Sequence, residues 1–143
     1  MHEPYTQLYL HFVWATWDRL PVIAPEWKSG ISRCIQAECA ALKVTVLAQY
    51  AMPDHVHLLV RFPTTVTVAE IAKQVKGASS HLVTHRMAPG EWFKWQGGYG
   101  AFSVSKADVP RVRHYIQCQE EHHRDQSFPL EWDRMQAEED AGD

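Results

Sequence analysis

The chain has 143 residues and a formal net charge of −3, which is one domain's worth of protein, long enough to bury roughly 68–70% of its unfolded surface without staples. Cys34, Cys39 and Cys118 form no Cys-x-x-Cys pair and no run of eighteen apolar residues occurs, which argues against a disulfide framework, a thiolate zinc cluster and a membrane span. Six of the acidic side chains lie from Glu131 onward beside Arg134 alone, so residues 1–130 carry 13 basic and 11 acidic groups, a balance that permits a limited set of phosphate contacts.

Gln7 to Trp17 is dense in β-branched and aromatic residues, among them Tyr9, Phe12, Val13 and Trp14, and is expected to be a largely buried strand. A helix follows through Ala41, with Pro25 in its first turn and Trp27, Ile31, Ile35 and Leu42 at helical spacing. Val44 to Met52 and His55 to Phe62 read as two strands joined tightly at Pro53-Asp54. Thr67 and Glu70 predict a capping box for a second helix ending near Arg86. Beyond a turn-rich aromatic stretch over 87–98, Tyr99 to Ser105 is a further strand. A last helix begins at the cap Asp108, with Pro110 in its first turn, and runs to about Arg124. The order β-α-β-β-α-β-α predicts an α+β fold with a ferredoxin-like antiparallel sheet. Residues 1–130 are expected to be a single domain and 131–143 an acidic tail. A polar start with Glu3 and no apolar h-region leads to the expectation of a soluble, cytoplasmic protein.

The strand His55-Val56-His57-Leu58-Leu59-Val60 points both imidazoles to one face, because successive strand side chains alternate. Arg61 belongs to the same face and suggests a wet, anion-receiving surface rather than a core. Tyr115 and Gln119 are four apart in a helical segment and share a helix face. Two imidazoles and an amide oxygen form a hard-to-borderline donor set that leaves positions for water and phosphate oxygens, which favours Mg²⁺ or Mn²⁺ over closed zinc. The alternative for the histidine pair is structural, each ring satisfied by a backbone carbonyl.

Of the five tyrosines, only Tyr115 shares a face with a potential ligand and has basic neighbours, Arg111 and His122. A phenol has a pKa of about 10 and needs a cation nearby to act as a nucleophile. Trp92, Lys94 and Trp95 interleave aromatics with a cation, a pattern that suits stacking of unpaired bases; the competing assignment is a loop plugged into the core. Lys73, Lys76 and Ser79 suit a phosphodiester seat, or equally the solvated face of an amphipathic helix. Gly97-Gly98 would provide a flexible joint before the last strand.

Four segments in order, Met52 to Leu59, Lys76 to Ser80, Trp95 to Val104 and Tyr115 to His123, closely resemble the single-tyrosine HUH transposases. These are the TnpA-like enzymes of insertion sequences and the REP-associated tyrosine transposases. The resemblance implies a ferredoxin-like fold and metal-dependent cleavage and rejoining of single-stranded DNA near hairpins. It implies a 5′-phosphotyrosine intermediate and a homodimer, often with the tyrosine helix shared between protomers. Carried over residue by residue, His55, His57 and Gln119 would be metal ligands and Tyr115 the nucleophile. The acidic C-terminus departs from the basic extensions of many domesticated relatives, leaving mobile-element and domesticated roles open. The alternatives are a non-catalytic hairpin-binding protein and a phosphodiesterase that attacks with water.

Overall fold

In the computed structural model of the chain, which describes residues 4–119, the elements follow the expected order. They are β1 (Tyr9–Ala15), α1 (Lys28–Ala41), β2 (Thr45–Met52), β3 (His55–Arg61), α2 (Val68–Leu82), β4 (Gly100–Val104) and α3 (Val109–Gln117). The strands make one sheet in the order β2-β3-β1-β4, antiparallel throughout, which is the ferredoxin-like arrangement. The last helix closes at Gln117, with Cys118 in a non-helical cap conformation, short of the expected run through Gln119; the acidic tail, His122 and the rest of that expected run lie outside the described residues.

Alternation along the strands sorts the side chains into two layers. Leu10, Phe12 and Trp14 of β1 and Val56, Leu58 and Val60 of β3 pack with Ile31 and Ile35 of α1 and Ile71 and Val75 of α2. Full burial of each such aliphatic contributes about 1.5–3 kcal/mol. On the opposite face α3 lays Val112 and Ile116 against Ala48 and Leu59. A register shift between Val46 and Ala48 makes this second layer possible: the bulge turns Ala48 away from the face of Val46 and toward α3.

The second helix starts as its sequence dictates, with Thr67 Oγ1 accepting from the Glu70 N–H at 3.0 Å and Glu70 Oε1 accepting from the Thr67 N–H at 3.3 Å. At Leu82 it passes directly into a π-helical turn over Val83–Met87, so the helical segment closes beside Arg86 as expected. Asp108 occupies the cap position of α3 but its side chain makes no capping bond; it pairs with Arg111 at 3.7 Å instead. The first strand stops at Ala15, and Trp17, expected within it, sits in a short 3-10 turn (Trp17–Arg19) with 43% of its surface exposed.

Candidate active site

The two strand histidines stand on the α3 side of the sheet, 4.9 Å apart between ring centroids, and both are buried. The face they share is thus not the wet surface that Arg61 suggested. Arg61 is at the far end of β3, exposed, and donates to the Thr6 carbonyl at 3.1 Å. The face is dry near the histidines because α3 covers it, a non-local contact that strand alternation does not reveal.

Each imidazole is oriented by a neighbour. Asp54 Oδ1 lies 2.6 Å from His55 Nδ1, while its Oδ2 accepts from Arg19 Nε and Nη2, both at 3.3 Å. Burial by itself would raise the Asp54 carboxyl, but the hydrogen bond and charge of His55, with the Arg19 guanidinium, bring it down to about 2. The ionised carboxylate can only accept, so His55 Nδ1 is the donor and, in the neutral ring, Nε2 keeps the lone pair that a metal would take. For His57 the neighbour is His11 of β1. Val13 is the direct register partner of His57, so His11 lies diagonally across the strand pair, on the same face. His11 Nε2 and His57 Nδ1 are 2.9 Å apart, with the rings stacked at 5.1 Å. Neither partner was singled out in the sequence, although Asp54 directly precedes the histidine strand and His11 has strand parity with Val13.

Tyr115 reaches this cluster from α3. Its ring stands edge-on to His57 at 5.5 Å and to His11 at 6.2 Å, within a single chain. One turn later Gln119 is fully buried, its Nε2 donating to the Tyr115 carbonyl at 3.3 Å. Among the described residues Gln119 Oε1 has no hydrogen-bond partner, and a buried amide oxygen left so is costly unless something binds it. Among the described residues no group of three or more His, Cys, Asp or Glu is placed to hold a metal. The Gln119 amide oxygen is a donor of another type. In chemistry the set fits Mg²⁺ or Mn²⁺.

The residues expected to meet DNA divide in two. Lys73, Trp92, Lys94 and Arg111 are exposed and remain available. Ser79, by contrast, is fully buried: its hydroxyl donates to the Val75 carbonyl at 2.6 Å and accepts from Trp95 Nε1 at 3.0 Å. Trp95 is itself core, edge-on to Trp14 at 5.9 Å. Lys76 places its ammonium 2.8 Å from the Gln96 carbonyl and 2.9 Å from that of Gly98. These three residues hold the loop before β4 against α2, so the Gly97-Gly98 segment is pinned rather than a free joint. The sequence pattern could not separate the two groups, because an indole suits a core and a stacking surface equally.

The chain matches the family described as "Transposase IS200 like" over residues 4–119. It is 26% identical over 118 residues to the ISDra2 transposase TnpA of Deinococcus radiodurans, covering 79% of this chain and 84% of that relative. Among solved structures, a Deinococcus radiodurans R1 protein assigned as a transposase superposes with a TM-score of 0.63 at 24% identity, over 83% of this chain and 95% of the other. A REP-associated tyrosine transposase bound to a REP hairpin superposes with a TM-score of 0.65 at 14% identity, over 86% of this chain and 73% of the other. Among the described residues no helix is long and apolar enough to cross a membrane.

Proposed function

Because the chain belongs to the IS200-like transposase family, we propose that it cleaves and rejoins single-stranded DNA beside a hairpin, with Tyr115 as the nucleophile. The observation that carries this assignment is the Tyr115 ring standing 5.5 Å from that of His57, with the buried Gln119 just past the end of α3 and bonded back to the Tyr115 carbonyl. A core tyrosine needs neither two imidazoles beside it nor a buried amide oxygen that has no partner among the described residues.

The phenol oxygen of Tyr115 attacks the scissile phosphorus. The phenol gives up its proton and a P–O bond to tyrosine forms as the P–O3′ bond breaks, leaving a 5′-phosphotyrosine and a 3′-oxygen that takes up a proton to become the hydroxyl. The transferred bond retains its energy, so a 3′-hydroxyl attacking the phosphotyrosine rejoins the strand without a nucleotide cofactor. His55, His57 and Gln119 would hold Mg²⁺ or Mn²⁺, which when bound supplies Lewis-acid polarisation of the phosphate and a lower phenol pKa. Asp54 and His11 keep the imidazoles in the orientation for that task. Tyr115 is buried, which protects the phenol and requires the cover over it to open before a phosphodiester can enter. The hairpin as substrate is supported by the solved neighbour that carries one. A homodimer belongs to the same proposal.

The test is incubation with labelled single-stranded hairpin DNA and Mn²⁺, followed by denaturing electrophoresis. A protein–DNA adduct that survives denaturation is expected from the native chain and none from Tyr115→Phe, which binds the hairpin within a few-fold of native. Cleavage retained by Tyr115→Phe would mean that water attacks; binding without cleavage by the native chain would mean a non-catalytic hairpin binder.

A further inference from the structure

Where β1 ends, the backbone leaves the sheet through a turn fastened on both sides. The Thr16 N–H donates to the Asp54 carbonyl at 2.9 Å, and the Trp17 N–H donates to the Lys94 carbonyl at 2.9 Å. The Asp18 N–H donates to Gln96 Oε1 at 3.1 Å. Within the turn Asp18 and Arg19 have φ of 54° and 52°, the left-handed region that side chains with a Cβ avoid. Such strain persists only where surrounding structure holds it, and it concentrates at ligand-binding positions. Lys43, the other described non-glycine residue with positive φ, merely follows the end of α1, an ordinary place for it.

The strained turn leaves an indole in water. Trp14, Trp27 and Trp95 are buried, whereas Trp17 is 43% exposed. The Lys94 ammonium lies 4.3 Å from its ring centroid, so a cation backs the aromatic plane. The position follows from the register: Ala15 pairs with His55 and Trp17 comes two residues later, at the same end of the sheet. Arg19 then ties the turn to Asp54, whose other oxygen meets His55. The exposed indole is therefore braced at the histidine end of the site by the network that orients His55.

The geometry points to Trp17, with Lys94 over it, as a stacking platform for one unpaired DNA base at the His55 end of the site, beside the scissile phosphate. The indole offers the π-surface, and the Lys94 charge favours the adjoining backbone phosphate. The substrate class is single-stranded DNA beside the hairpin stem, and the inference rests on the function proposed above. Among the tryptophans expected to meet bases, it transfers that role from Trp95, which is core, to a residue the sequence pattern placed inside a strand.

The experiment measures binding of a hairpin with a single-stranded flank by the native chain, Trp17→Ala and Trp17→Phe at one salt concentration, with thermal melting as the folding control. It also scans 2-aminopurine along the flank. Trp17→Ala is expected to weaken binding by about 5- to 150-fold, the range for loss of one stacked base, while Trp17→Phe retains most affinity. Quenching of 2-aminopurine at one or two positions beside the cleavage site is expected with the native chain and not with Trp17→Ala. Native binding with unchanged affinity and quenching in Trp17→Ala would overturn the platform alone. No binding of the flanked hairpin by the native chain would overturn the proposed function.

Discussion

Replacing His11 by phenylalanine tests the imidazole cluster most directly, because it preserves a ring of similar size where His11 is fully buried and removes the nitrogen 2.9 Å from His57 Nδ1. Stability should fall by about 1–3 kcal/mol, the cost of taking away the partner of a buried polar atom, which corresponds to a loss of several degrees in Tm for a domain this size. Metal binding should suffer separately. When His57 Nδ1 carries the proton, Nε2 is free to ligate; without His11 to accept that proton the ring can adopt the other tautomer or rotate. Loss of such an orienting partner typically lowers metal affinity 10- to 100-fold, or about 1.4–2.7 kcal/mol. Calorimetric titration of native and His11→Phe protein with Mn²⁺, below the melting temperature of the variant, measures the effect. Nitrogen-15 spectra of the imidazoles report the His57 tautomer without metal. If the native chain binds Mn²⁺ and the folded variant binds it equally well with the same tautomer, His11 does not orient His57 and the reasoning fails.

Ser79→Ala should destabilise the fold by about 1–3 kcal/mol in urea unfolding, because the Trp95 indole N–H loses its acceptor, while hairpin affinity stays within twofold; the reverse pattern would restore Ser79 to the DNA surface. Because Tyr115 faces the histidines of its own chain, mixing Tyr115→Phe with His55→Ala protein should leave strand cleavage absent. Activity recovered in the mixture would show that the tyrosine helix is exchanged between protomers of a dimer.

Local pattern determined a good deal here. Element order, the two-residue turn at Pro53-Asp54, the capping box of Thr67 and Glu70 and the common face of His55 and His57 were all legible, because each depends on spacings of a few residues and on fixed helix and strand periods. The expected sharing of one helix face by Tyr115 and Gln119 is not met, because α3 closes at Gln117 and Gln119 bonds back to the Tyr115 carbonyl from beyond its end. What these spacings do not contain is which surface an element meets. The bulge near Leu47 redirects Ala48 toward α3, and that helix makes the histidine face dry, contrary to what Arg61 suggested. His11 acquires its role only from the register of β1 against β3. Trp95 and Trp17 exchange expected places, core for surface, because Ser79 and Trp14 receive one and a strained turn expels the other. Period and propensity act within a helical turn or a strand, so the sequence alone settles them. Burial and hydrogen-bond partnership arise between residues distant along the chain, and only the packed sheet and helices decide which of them meet.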